Sequence, residues 1–200
     1  MIKFCTFLIF LLLVVTTVML VVTKNRFSSD TTVSEEKSEG VAFVGGDFNL
    51  INQDGKAVNN KDFRGKIMMV FFGFTSCPDI CPVTSATFAK VLGSLGDKAD
   101  SVAPIFISVD PETDTPEVLK EYLGNFDKRI IGLTGTQEQV TQAASAYKAY
   151  FAKATNSEGN ETVDHSGFIY IMDKNGKYVK HFPYDASAQD VAAAVTELLK

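Results

Sequence analysis

"IMMVFFGFTSCPDICPVTSATFAKVL", residues 67–92, decides how the rest of the chain is read. Its first eight residues, Ile67–Phe74, are an uninterrupted apolar run, the pattern of a strand buried on both faces of a sheet. After Pro82 the apolar residues Val83, Phe88, Val91, Leu92 and Leu95 recur at helical spacing, and Pro82 suits the first helical position. The loop between the two elements holds Cys77 and Cys81, each followed by a proline. Two thiols therefore sit past the C-terminal end of a buried strand and at the entrance to a helix. Helix N-termini carry unpaired N–H groups and a partial positive charge, which favour thiolates. Ligands of open α/β sheets also gather beyond the C-terminal ends of strands. A reactive pair is expected. The bland alternatives are two buried thiols or an inert disulfide, and such a bridge would close too short a loop to add much stability.

Working outward, residues 45–58, "GGDFNLINQDGKAV", alternate around Asp54-Gly55 and predict a hairpin. "VAPIFISV" (102–109) is a second buried strand. Thr115 and Pro116 open a helix as N-cap and first residue. A short strand at Ile130–Leu133, a helix over Gln137–Tyr150 and a strand at Phe168–Asp173 follow. A turn at Asn175-Gly176 leads to "KYVKHF", and "ASAQDVAAAVTELLK" closes the chain as a helix. Strands alternating with helices predict one α/β domain over residues 41–200, with a mostly parallel sheet covered on both faces.

The first residues are of another kind. "FCTFLIFLLLVVTTVMLVV", residues 4–22, has no charge and is long enough to cross a bilayer as a helix. A cleaved signal peptide is the rival reading, but its apolar core is usually ~7–15 residues and ends at small residues. Residues 1–23 are expected to be an uncleaved transmembrane anchor. Residues 24–40 include "SSDTTVSEEKSEG", which has too little apolar surface to offset chain entropy and reads as a flexible tether. The expected location is the bacterial inner membrane, with a single pass and the folded part in the periplasm. The chain carries 19 basic and 24 acidic side chains with no basic stripe, which argues against a nucleic-acid partner.

Of the two histidines, His165 in "ETVDHSGFIY" directly precedes the strand at 168–173 and is the one the fold can bring to the cysteine loop. Asp164 is expected to orient its ring. His181 in an alternating, surface-turned stretch reads as a solvated histidine. Two thiolates and one imidazole fall short of the four protein ligands of structural zinc. An iron–sulfur cluster usually needs four cysteines, and Cys5 lies in the apolar segment. Soft thiolates with an imidazole suit copper best among the metals.

The carrying stretches are "GFTSCPDICP" (73–82), "VDPETDTPEVLKEYLGNF" (109–126) and "VDHSGFIYIMDKNG" (163–176). With "FNLINQDGKAVNNKDFRGK" (48–66), in this order, the chain resembles the Sco (SenC/PrrC) family. The resemblance implies a thioredoxin-like fold, a mixed central sheet covered by helices, behind an N-terminal transmembrane helix. It implies a single copper ion, Cu(I) or Cu(II), on Cys77, Cys81 and His165. It also implies a role in assembling the binuclear copper site of cytochrome c oxidase, by delivering copper to subunit II or reducing its cysteines. A periplasmic thiol reductant and another copper chaperone are implied partners. Ser76 departs from the family, whose members often carry histidine there. Unlike ordinary thioredoxins, the chain has no proline just before "FIYIMD".

Two other chemistries compete with copper delivery. Cys77 and Cys81 suit a thiol–disulfide reductase, one thiolate attacking and the other resolving. A one-cysteine peroxidase of related fold lacks its usual motif here. Asp110 and Asp114 in "VDPETDTP" invite a carboxylate-pair reading. The simpler one has Asp114 and Thr115 capping the next helix, with Asp110 near the metal. "NET" (160–162) matches a glycosylation pattern that carries little weight in a bacterial protein.

Overall fold

The computed structural model describes residues 43–155, 159 and 161–200. The expected anchor and tether and Asn160 of the "NET" pattern lie outside them. No helix among the described residues is long and apolar enough to cross a membrane. In chain order the elements are β1 (Asn49–Asn52), β2 (Ala57–Asn59), β3 (Ile67–Gly73), α1 (Ile80–Leu95), β4 (Val102–Ser108), α2 (Pro116–Gly124) and β5 (Ile131–Thr134). Then come α3 (Gln137–Tyr147), β6 (Phe151–Thr155), β7 (Glu161–His165), β8 (Phe168–Met172), β9 (Tyr178–Pro183) and α4 (Ala188–Leu198).

Seven strands form one sheet in the order β2-β1-β5-β4-β3-β8-β9. Only its centre, β3-β4-β5, is parallel; β1 meets β5, and β8 meets β3, antiparallel. The sheet is thus mixed, correcting the mostly parallel one that the strand–helix alternation suggests. The reason is local. β1–β2 and β8–β9 are joined by short turns, which allow only antiparallel pairing, whereas parallel neighbours need a crossover. Gly55 and Gly176 occupy these turns with φ of +73° and +75°.

β3 and β4 are buried along their whole length, as their apolar runs require. Alternation sends Met68, Val70 and Phe72 to a layer with Val140 and Tyr147 of α3. Ile67, Met69 and Phe71 face the other layer, with Phe88 of α1, Leu119 of α2 and Val191 of α4. The sheet is covered on both faces.

Three helices start on hydroxyl caps: Thr115 accepts from Val118 N, Thr136 from Gln139 N and Ser187 from Asp190 N. α1 does not, since Asp79 at its N-cap position makes no side-chain cap bond. α1 also begins at Ile80 rather than at Pro82, which therefore lies within the first turn. A proline is tolerated there because first-turn N–H groups have no helical partner.

α3 ends at Tyr147 rather than Tyr150, because Lys148 turns left-handed at φ 57°. The chain then enters a feature the patterning did not anticipate, a separate two-stranded sheet of β6 and β7 pairing Phe151 with His165 and Thr155 with Glu161.

Candidate metal centre

The site begins where β3 stops. Gly73 O accepts from Val109 N at 2.8 Å, fastening the ends of β3 and β4 together, and Phe74 O accepts from Cys77 N at 3.3 Å. That turn leaves Cys77 half-buried, while Cys81 in the first turn of α1 is fully buried. Cys81 approaches the strand end so closely that a Cβ on Gly73 would stand 2.7 Å from its Sγ and 2.7 Å from Phe71 Cε1. Only glycine fits between the buried thiol and the strand.

His165, the last residue of β7, arrives from the other side. Its Nε2 lies 3.5 Å from Cys81 Sγ, and its Nδ1 is 3.3 Å from the Ser166 carbonyl oxygen. A carbonyl only accepts, so Nδ1 is the donor and, in the neutral ring, Nε2 presents its lone pair to the thiols. The ring is held edgewise between Phe71 and Phe74, with centroids 5.8 and 5.5 Å away. Ser166 bonds twice to Tyr150, N to O at 2.9 Å and Oγ from Tyr150 N at 2.8 Å. This fixes the end of β7 beside the end of α3.

Asp164 does not orient the ring as expected. Neighbouring residues of a strand point to opposite faces, so Asp164 is exposed while His165 turns inward. The ring is oriented instead by the Ser166 carbonyl and the two phenylalanines.

Asp114 does not cap α2; that task falls to Thr115 alone. Asp114 is buried and accepts from Thr75 and Ser108. Asp110 lines a groove of about 450 Å³ with Phe74, Ser76, Glu112 and Lys153, outside the three-residue cluster. His181 is exposed but not simply solvated: the Tyr178 hydroxyl stands 2.7 Å from its Nδ1, and Phe168 lies edgewise 4.8 Å away.

The ligand atoms of Cys77, Cys81 and His165 all lie within 4.8 Å of one another, and both cysteines are free thiols. The thiols titrate as a pair. Cys77 is held far below the ordinary thiol range, chiefly by the hydrogen bond from Cys81, with nearby backbone N–H groups adding to it. Cys81 is pushed far above it, chiefly by that same bond to Cys77 and then by burial. One proton leaves easily and the second is retained. Two sulfurs and an imidazole nitrogen, gathered at one point, fit a soft metal ion.

Sequence reading missed Gly73, the Phe71–Phe74 cradle and the hairpin that carries His165. The hairpin had a signal: "FAKAT" and "ETVDH" flank a short segment containing Gly159, which turns at φ 84°.

The SCO1/SenC family profile matches residues 36–200. The chain belongs to the SCO1/SenC family. The SCO2-like protein of Rickettsia prowazekii is 43% identical over 150 residues, covering 74% of this chain and 73% of the relative. Copper-bound ScoI of Bradyrhizobium japonicum is 40% identical with a TM-score of 0.72, covering 78% of this chain and 99% of that one. BsSco, a Sco-family cytochrome c oxidase assembly protein with a disulfide switch, is 28% identical with a TM-score of 0.63, covering 78% of this chain and 93% of that one. The α/β architecture with its mixed central sheet is that of the Sco structures, in line with the family resemblance.

Proposed function

We propose that this SCO1/SenC protein is a membrane-anchored copper chaperone whose cargo ion is held by Cys77, Cys81 and His165. The observation that carries the reading is the convergence of two thiol sulfurs and one imidazole nitrogen within 4.8 Å of one another. The copper-bound state of the similar ScoI supports the choice of metal. Cu(I) favours thiolates, and three ligands leave a side from which incoming thiolates can exchange with these one at a time. Loading must expel the proton that the pair retains, so uptake is coupled to proton release.

The client we propose is subunit II of cytochrome c oxidase, at its binuclear copper site. The oxidase assembly role of BsSco supports this. The uncharged segment 4–22 supports a single-pass anchor in a bacterial inner membrane, with the site on the periplasmic side. In that oxidising compartment a thiol reductant must keep the pair able to bind, and another copper chaperone is the source of the ion in this reading.

A second reading, a thiol–disulfide reductase, is favoured by the strong coupling of the two thiols. Cys77 thiolate would attack a client disulfide and release one client thiolate. Cys81, losing its proton, would then displace the other, leaving a Cys77–Cys81 disulfide and two client thiols.

Anaerobic titration of the reduced full chain with Cu(I), wild type against His165→Ala, separates the two. Stoichiometric binding that His165→Ala markedly weakens is expected for the chaperone. Binding indifferent to His165, or no stoichiometric binding, leaves the reductase.

A further inference from the structure

Asp114 is fully buried, and no basic side chain pairs with it among the described residues. Its Oδ1 accepts from Thr75 Oγ1 at 2.5 Å. Its Oδ2 accepts from Thr75 N at 3.0 Å and from Ser108 Oγ at 2.6 Å. Ser108 Oγ in turn accepts from Asp110 N at 3.1 Å. One carboxylate thus joins the end of β4, the approach to α2 and the residue two before Cys77. Burial pushes its carboxyl pKa up, and the hydrogen bonds from Ser108 and Thr75 oppose that shift without a cation to help.

Burying an unpaired carboxylate is costly, and an apolar residue would fill the same space at lower cost. What an apolar residue cannot do is hold both the N–H and the hydroxyl of Thr75. Phe74, next to Thr75, accepts the Cys77 N–H and packs on the His165 ring. The position of Thr75 therefore sets where the half-buried Cys77 thiol, and one wall of the histidine cradle, can stand. We infer that Asp114 is a positioning residue for the thiol pair, acting through Thr75 to keep Cys77 facing Cys81 and His165. The inference deepens the copper-site reading and rests on it for its metal readout.

The test uses the full chain as wild type, Thr75→Val, Thr75→Ser and Asp114→Asn. Two quantities are measured: Cu(I) affinity by chelator competition, and the Cys77/Cys81 potential in glutathione buffers. Thr75→Val removes the hydroxyl but leaves the backbone bond to Asp114. It is expected to weaken Cu(I) binding by ~10–100-fold, as losses of outer-shell partners do. It should also move the pair to a more oxidising potential by about 30 mV for each tenfold loss of thiol approach. Thr75→Ser, which restores the hydroxyl, should return both to wild type. A Thr75→Val protein equal to wild type in both readouts overturns the inference. So does a Thr75→Ser protein as impaired as Thr75→Val, since packing of the methyl would then be the cause. If Thr75→Val does not fold, Asp114→Asn, which keeps the volume and removes the charge, is judged by the same two readouts. A wild type that fails to bind Cu(I) removes the copper reading alone, and the potential still decides the role of Asp114.

Discussion

Cys81 Sγ and His165 Nε2 stand 3.5 Å apart although 84 residues separate them in the chain. The two sit on different elements: Cys81 in the first turn of the helix that follows the central strand, His165 at the open end of the separate β6–β7 pair, opposite Phe151. Replacing His165 by Ala removes the one imidazole of the cluster and leaves the thiols in place. Cu(I) affinity of the reduced protein should fall at least about tenfold, the lower bound for losing even an outer-shell partner. Competition against a chromogenic Cu(I) chelator reads this directly, and an unchanged affinity would exclude His165 as a ligand.

Cys77 should be alkylated rapidly at pH values where ordinary thiols are inert, while Cys81 stays protected in the folded protein. The Cys81→Ala variant removes the donor that chiefly depresses Cys77. Its Cys77 should then react more slowly at pH 6 than in wild type. Mass spectrometry after timed iodoacetamide exposure distinguishes the two thiols.

The same pair gives stability a peaked pH dependence. Below the ordinary thiol value of about 8.5 the folded pair has already released a proton that the unfolded chain still holds, so stability rises with pH. Above that value the unfolded chain has lost both protons while the folded pair keeps one, so stability falls. Urea denaturation of the metal-free, reduced protein should show this maximum. A Cys77→Ser, Cys81→Ser double variant should lose it.

Gly73→Ala tests the close approach at the strand end. The added methyl would meet Cys81 Sγ at 2.7 Å, Phe71 Cε1 at 2.7 Å and Phe106 Cζ at 3.0 Å. Overpacking of this kind costs roughly 1–3 kcal/mol. Because Cys81 must give way, Cu(I) binding should weaken too. Gly93→Ala in α1 is the control: a Cβ there meets nothing within 4 Å, and the change should stabilise by ~0.5–1 kcal/mol without touching the metal.

Thr115→Ala removes the N-cap of α2 and should cost about 1 kcal/mol of stability. It should leave copper affinity as it is, because Thr115 bonds to Val118 N rather than to the cysteine loop. Thermal unfolding and chelator competition on one sample check both halves.

How much of this the sequence carried depends on how local the cause is. β3 and β4 are read from unbroken apolar runs, and α2 from Thr115-Pro116, because burial on both faces and helix capping each leave a mark within a few residues. The cysteine loop is read for the same reason. The start of α1 was misplaced, since a proline serves any first-turn position and does not single one out. Asp114 reads as a cap because Asp before Thr-Pro looks like one; its true partners are Ser108, at the buried end of β4, and Thr75, in the turn after β3 and 39 residues away. Adjacency in the sequence points to Asp164 as the residue that orients His165, whereas strand alternation makes that neighbour point away. Gly73 gives no sign at all: a glycine inside an apolar strand run looks the same whether or not a sulfur lies against it.

The spread of Cys77, Cys81 and His165 over a loop, a helix and a separately paired strand has a topological consequence. An ion shared by Cys77, Cys81 and His165 would close a ring of chain from Cys81 to His165, enclosing most of the helices and strands between them. In the chain-entropy description, tying so distant a pair restricts the unfolded ensemble by on the order of 4 kcal/mol. Cargo would then double as a removable crosslink. Handing the ion over would cut that crosslink, and the protein that gives up its copper is returned to a more loosely constrained chain.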